Sequence, residues 1–304
     1  MKIRVLGSAA GGGFPQWNCN CSNCDGVRRG TIKARARTQS SITVSDDGVD
    51  WVLINASPDI LTQIKDNPVL QPARQARDSG IAAVVLMDAQ VDHVTGLLML
   101  RERNAPLPIY ATEQVFADLT SGLPLVNTLA HYCTVERHLI TPDNQAFSVP
   151  LVEALALTPI PLSSKAPPYS PHRHDPHPGD NIGLSITDNR TGKTVFYAPG
   201  LGEIEPQVEH AMQQADVLLI DGTFWTDDEM IRLGMSAKRA SDMGHLSQSG
   251  QGGMVEVLQR YPDKRRILIH INNTNPILRE DSEQALELAR LGIEVAFDGM
   301  HIEI

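Results

Sequence analysis

No stretch of this chain is apolar for long enough to cross a bilayer. Nor does it carry a dense block of Lys and Arg. The formal net charge is −10, and binding to a bare phosphate backbone rests on clustered cations, so nucleic acid is excluded as a natural partner. The N-terminal MKIRVLGSAAGGGFPQWN lacks the uninterrupted apolar core and small-residue cleavage pattern of a secretory signal. It reads instead as a strand followed by a glycine turn, and a soluble, cytoplasmic protein without membrane insertion is expected. Cysteine is scarce as well. Three of the four thiols, Cys19, Cys21 and Cys24, crowd into one loop, while Cys133 stands alone. That distribution makes a poor disulfide framework and a good metal loop.

What is present suits a packed core. Apolar residues make up 41% of 304, enough for a sizeable interior. The segments KIRVLGSA, SSITVSDD and VDWVLINAS read as strands rich in β-branched residues. A helix is predicted from Pro58 to Leu70, then a strand buried on both faces, IAAVVLMDA, and a helix opening at Asp92. Two strand–helix alternations are expected through about Gly122. The Pro- and His-rich SSKAPPYSPHRHDPHPGD is too long for an ordinary connection and is read as a binding loop or lid. Strands NIGLSIT and TVFYAPG, a helix at Pro206–Gln214, and the units DVLLIDG, GGMVEVLQRY–RRILIHI and EDSEQALELARLG–IEVAFDG complete a mirrored second half. That order predicts an α/β fold, an αββα sandwich of two mixed sheets with helices outside, as a single domain over residues 1–304.

Two constellations carry chemistry. Cys19-x-Cys21-x-x-Cys24 places three thiolates within reach of one tetrahedral centre, the arrangement of a structural zinc. Its fourth ligand is open from spacing, with Asn273, His301 and other histidines as candidates. In LMDAQVDHVTGL, Asp88, Gln90, Asp92 and His93 fall where a buried strand gives way to a helix, the place where α/β proteins put their chemistry. An Asp-His pair at a helix start is by itself more often a cap than a ligand. A second histidine, His270, closes another apolar strand in RRILIHINNTNP. If the two strand ends meet, Asp92, His93 and His270 offer one carboxylate and two imidazoles to one cation.

The D-x-Q-x-D-H run at Asp88 to His93 resembles a degraded H-x-H-x-D-H signature of the metallo-β-lactamase superfamily. The strings GSAAGGGFPQWNCNCSNC, PPYSPHRHDPHPGDN, FYAPGLG, MGHLSQSG and HINNTNPIL resemble, over essentially the whole chain, the superfamily branch that serves pyrroloquinoline quinone (PQQ) biosynthesis. The thiol loop is also similar to the structural zinc loop of phosphodiesterases in that superfamily. The departures matter. Asp88 and Gln90 stand where two-metal hydrolases have their first two histidines, and Pro199 stands where a bridging Asp is expected. The resemblance therefore implies that one metal site is dismantled and that the other survives as Asp92, His93 and His270. It also implies that His177, six residues before Gly183, is a further ligand or substrate contact, and that His245 is a proton donor. With Asp88, these residues would orient substrate or move protons.

Two imidazoles and a carboxylate with positions left open form the ligand set of non-haem Fe(II) oxygenases. The expected cofactors are thus a structural Zn2+ and a cleft divalent metal, Fe2+ first. The resemblance implies an oxidative step on a peptide-derived Glu–Tyr intermediate, and the expected activity is hydroxylation of its tyrosine moiety. A metal-dependent hydrolase, and a carrier that binds PQQ or its precursor and assists its movement to the periplasm, stand as alternatives. Homodimerisation and contacts with other PQQ-pathway proteins are left open by the sequence.

Overall fold

A computed structural model describes residues 1–304. Thirteen strands form two sheets: β1 (Lys2–Gly7), β2 (Ser41–Ser45), β3 (Trp51–Ile54), β4 (Ile81–Val85), β5 (Leu107–Ala111), β6 (Val135–Leu139), β7 (Leu155–Pro161), β8 (Ile182–Asp188), β9 (Thr194–Ala198), β10 (Val217–Asp221), β11 (Arg265–Ile269), β12 (Ile293–Val295) and β13 (His301–Glu303). The first sheet runs β13-β1-β2-β3-β4-β5-β6 and the second β12-β11-β10-β9-β8-β7. Each has an antiparallel part that turns parallel, at β3–β4 in one and at β9–β10 in the other. The last strand crosses back to pair with β1.

Three apolar clusters define the layers. One lies between the sheets and includes Val5, Val44, Ile54, Leu184, Tyr197 and Ile267. The second packs the outer face of the second sheet under the helices at 206–214, 254–259 and 283–290. The third does the same for the first sheet, where Leu53, Val84 and Ile109 meet Ile60, Leu97 and Phe116. Strand residues buried on both faces, such as IAAVV in β4, are what a covered parallel sheet requires. The result is the helix–sheet–sheet–helix sandwich expected from the order of elements.

Several elements differ from the expectation. The thiol loop contains a helix, α1 (Ser22–Arg29), whose polar sequence hides it from periodicity; the Cys21 sulfur caps it by accepting from the Cys24 N–H. The helix expected up to Leu70 is α2 (Ile60–Asp66) followed by a separate 3-10 turn from Pro68, because proline disfavours the helical conformation in the residue before it. Strands β6, β7 and β13 were not anticipated. Of these, β6 is an edge strand with a largely polar sequence, VERHL, which conceals it from apolar alternation. Only one strand–helix unit is complete by Gly122.

The helix after the metal-ligand candidates is a single turn, α3 (Val91–Val94), that tightens into a 3-10 helix at Thr95–Leu100. Gly96 explains the close seat of this segment. Its N–H donates to the Ala56 carbonyl at 2.9 Å, and a Cβ there would lie 2.0 Å from the Ser57 carbonyl oxygen. Gly96→Ala therefore has to lift the helix off the β3 loop. We expect a loss of about 2–3 kcal/mol, the upper part of the range for overpacking, read as a lowered denaturation midpoint with an unchanged slope.

Candidate metal centre

The cleft opens where strands of both sheets end. The chain leaves β4 through Met87 and Asp88, β9 through Pro199 and Gly200, β10 through Thr223, and β11 through His270, and all of these line one cavity of about 490 Å³. This is the usual position of a site in a parallel sheet, beyond the carboxyl ends of the strands.

Asp92, His93 and His270 converge there. The Asp92 Oδ2 atom lies 3.8 Å from His93 Nε2 and 3.7 Å from His270 Nε2, and the imidazole centroids are 5.4 Å apart at 72°. Both Nε2 atoms are buried without a hydrogen-bond partner. Two orphaned imidazole nitrogens aimed at one carboxylate fit a cation, since a buried polar atom left alone is costly.

The far side of each ring fixes its tautomer. His93 Nδ1 lies 2.8 Å from the Asp88 carboxylate and donates to it, which leaves Nε2 as the lone-pair end. Thr223 Oγ1 donates to Asp221 Oδ1 at 2.6 Å and so accepts from His270 Nδ1 at 2.9 Å. Carboxylate–imidazole pairs of this kind orient metal ligands. Asp88 is thus a positioning residue whose oxygens are spent on His93. We expect Asp88→Asn to weaken cleft-metal affinity about 10–100-fold, the usual effect of removing an outer partner, measured by competition with a chromophoric chelator.

Electrostatics agree with the geometry. Burial alone would push the His93 pKa down, but the Asp88 and Asp92 carboxylates outweigh it and raise it to about 9. Burial alone would push the Asp92 carboxyl up; His93 and His270 instead hold it well below the usual range. In the metal-free protein, the protonated His93 contributes stability that is whole below its ordinary value of 6.5 and is lost as pH rises through about 9. An ion has to displace that proton. Affinity at the triad should therefore rise with pH up to about 9, with a proton released per ion bound. Calorimetry in buffers of different ionisation enthalpy reads the proton count.

The backbone is shaped around the triad. His270 has φ 61°, a left-handed conformation uncommon outside glycine and tolerated where the surroundings dictate it. Ala10 N–H donates to the Ile271 carbonyl at 2.9 Å, seating the glycine turn after β1 beside this strand end. Gly11 then lies against the carboxylate, where a Cβ would be 3.0 Å from Asp92 Oδ2.

His245 is also in the cleft. Its Nδ1 is 2.6 Å from Asp221 Oδ2, and its ring stacks on that of His270 at 5.5 Å. Burial lowers its pKa, yet the Asp221 carboxylate prevails and raises it. Asp221 and Thr223 are the functional residues that sequence reasoning missed. The signal was available, since DVLLIDGT ends an apolar strand in an acid just as VVLMD does.

His177 does not line the cleft, which corrects the expectation of a ligand or substrate contact there. It groups with His172 and Asp180; Asp180 accepts the His177 backbone N–H at 2.7 Å and pairs with His172 at 2.8 Å. Local turns of the Pro-rich loop aim His177 outward, so its spacing to Gly183 misleads. The loop is nonetheless tied to the site. Ile182 N–H donates to the Met87 carbonyl at 2.9 Å, and the Tyr169 hydroxyl donates to the Ala89 carbonyl.

The three thiols of Cys19, Cys21 and Cys24 lie within 4.8 Å of one another. Asn273 faces them, its amide nitrogen 3.0 Å from Cys19 Sγ and 3.4 Å from Cys24 Sγ. The two ends of an amide are nearly identical in shape, so the same side chain can present its oxygen to a cation. Burial pushes the Cys21 thiol up to about 12. His301, the other named candidate for the fourth ligand, is exposed on β13 beside Glu303 and is excluded by position.

Residues 50–271 match the beta-lactamase superfamily domain. The chain is 64% identical over 303 residues to the coenzyme PQQ synthesis protein B of Cupriavidus necator, covering 100% of this chain and 99% of that protein. It is 63% identical to the protein of the same name from Methylobacillus flagellatus, covering 99% of each. The chain belongs to the coenzyme PQQ synthesis protein B family. The crystal structure of Zn(2+)-bound PqqB from Methylobacterium extorquens superposes with a TM-score of 0.91 at 39% identity, over 100% of both chains. A diphosphatase of the PhnP family aligns with a TM-score of 0.69 at 19% identity, over 100% of this chain and 96% of that one; it shares the fold. No helix of this family member is long and apolar enough to cross a membrane.

Proposed function

We propose that this chain catalyses an oxygen insertion in PQQ biosynthesis, hydroxylating the tyrosine ring of a peptide-derived Glu–Tyr intermediate at an Fe(II) ion that Asp92, His93 and His270 would hold, with dioxygen as oxidant and an external two-electron donor reducing its second oxygen atom to water. The observation that carries the reading is the economy of ligands. One carboxylate and two imidazoles meet at a point, while Asp88 is consumed by His93 and Pro199 and Gly200 line the wall where a bridging carboxylate would be needed. A two-metal hydrolase needs ligands for ions about 3.5–4 Å apart; beside the triad, Asp221 and His245 group with His270, but those two are spent on each other at 2.6 Å. Fe(II) held by Asp92, His93 and His270 would supply dioxygen chemistry.

The chain's own residues supply the rest. Asp88 and Thr223 hold the two imidazoles in the metal-binding tautomer, and the Pro-rich loop roofs the cleft. His245, oriented by Asp221, stands beside the triad with a ring nitrogen free to give or take a proton from a phenol. The free thiols of Cys19, Cys21, Cys24 and Cys133 favour a reducing, cytoplasmic compartment, and zinc suits the thiol loop.

The test is isotopic. Protein loaded anaerobically with Fe(II) and given ¹⁸O-labelled dioxygen, a two-electron reductant such as ascorbate and a tyrosine-containing substrate should add labelled oxygen to the ring, and His93→Ala should add none. Zinc-loaded protein that cleaves an ester or phosphodiester, with no label gained by the iron form, would favour the hydrolase. Tight PQQ binding that survives loss of the cleft metal, again without label, would favour the carrier.

A further inference from the structure

The cleft carries more unpaired charge than the metal triad accounts for. Of the other lysines, Lys33 and Lys193 pair with Glu280 and Asp216, Lys2 and Lys264 donate to backbone carbonyls, and Lys65 is exposed on α2 outside this cavity. Lys165 and Lys238 have no such partner, and both line the cavity. Arg173 lines it too; its guanidinium donates to the Ala166 carbonyl and meets no carboxylate. A chain of net charge −10 thus leaves three cations without counter-ions around one mouth. They come from two separate segments, the Pro-rich loop and the stretch before His245.

The acids in the wall are distributed differently. Asp88 and Asp92 are bound to the histidines, and Asp242 accepts the Arg239 N–H at 2.9 Å. Glu203 and Asp242 are both exposed in the lining, and neither pairs with a cation. Three cations and two carboxylates without counter-ions around a cavity of about 490 Å³ match a small zwitterion with an excess of carboxylates. Guanidinium and ammonium groups bind carboxylate oxygens with charge-assisted hydrogen bonds, and Glu203 suits an ammonium.

We propose that Lys165, Arg173, Lys238 and Glu203 form an amino-acid recognition rim, which grips the free α-carboxylates and α-ammonium of the substrate and directs its side chain toward the triad. The substrate class is a free amino acid or a conjugate of amino acids with unblocked ends. The assignment rests on the aromatic substrate proposed above, and recognition is separable from oxygenation.

Zinc-loaded, full-length protein permits binding to be read without turnover. Calorimetric titration would compare L-tyrosine, tyramine, which lacks the carboxylate, and 3-(4-hydroxyphenyl)propionate, which lacks the ammonium. Tyrosine should bind tightest. Lys165→Gln and Lys238→Gln should each weaken tyrosine and the propionate about threefold, as expected for partly exposed ion pairs, and the double variant about tenfold. Tyramine should be indifferent to both and weakened by Glu203→Gln. Rising salt should reduce tyrosine binding in the wild type more than in the double variant. Equal affinity for all three probes, or a double variant that binds tyrosine as the wild type does, overturns the rim. Labelled oxygen gained in spite of such a result would leave the oxygenase standing without it. Discrimination among the probes without label incorporation would leave the rim standing and remove the oxygenase.

Discussion

His270→Ala should abolish cleft-metal binding at micromolar ion concentrations, a loss exceeding the roughly 10–100-fold expected when an outer partner is removed. The residue closes β11, with Nε2 aimed at Asp92 3.7 Å away. Without it the remaining pair, Asp92 and His93, sits on a single turn of helix and offers two ligands from one side. Catalysis through the ion should fall to background.

The same position separates ligation from stability. At φ 61° an alanine keeps the strain that histidine bears, whereas a glycine relieves it. His270→Gly should therefore lose the metal as completely as His270→Ala and yet fold more stably by about 1 kcal/mol in the metal-free state. Equal stability of the two variants would mean that the left-handed backbone is unstrained there.

Cys24→Ser should be the most destabilising single change in the chain. Cys24 is fully buried, and its sulfur, with those of Cys19 and Cys21, meets Asn273, 249 positions further along the chain. A cation held by these groups clips the loop after β1 to the loop after β11, and closing so long a loop removes much freedom from the unfolded chain. It also seats the glycine turn against Asp92. The thiols are already gathered by the fold, so only part of the 10–16 kcal/mol typical of zinc-finger peptides is at stake, and a loss on the order of 5 kcal/mol is expected. In a His270→Ala background, which has no cleft ion to confuse the reading, a chelator should lower the melting temperature of the thiol-intact protein. The Cys24→Ser protein should melt low and ignore the chelator. A variant that melts with its parent would show that the loop needs no metal.

Much of this was legible in the residues. Strands buried on both faces announce themselves as unbroken apolar runs, so β4, β10 and β11, and the site residues at the ends of β4 and β11, could be placed from letters alone. Asp92, His93 and His270 followed, because residues that end such strands in one sandwich share a cleft. The polar edge strand VERHL and the helix SNCDGVRR were hidden, since neither alternates nor repeats in an apolar pattern; pairing and thiol capping make them regular. Spacing failed for His177, where turns inside a proline-rich loop decide direction. The acid ending DVLLID was readable as a strand-end residue, but the hydrogen bonds by which Asp221 and Thr223 act on His245 and His270 were not.

Metal stoichiometry of gently purified protein, determined by mass spectrometry on the wild type and on His93→Ala, is the most direct measure of the central claim. Wild type should hold one ion in the thiol loop and one in the cleft, and the variant should keep only the first. A second cleft ion per chain, or a cleft ion that survives in His93→Ala, would contradict a lone, partly open centre built on Asp92, His93 and His270.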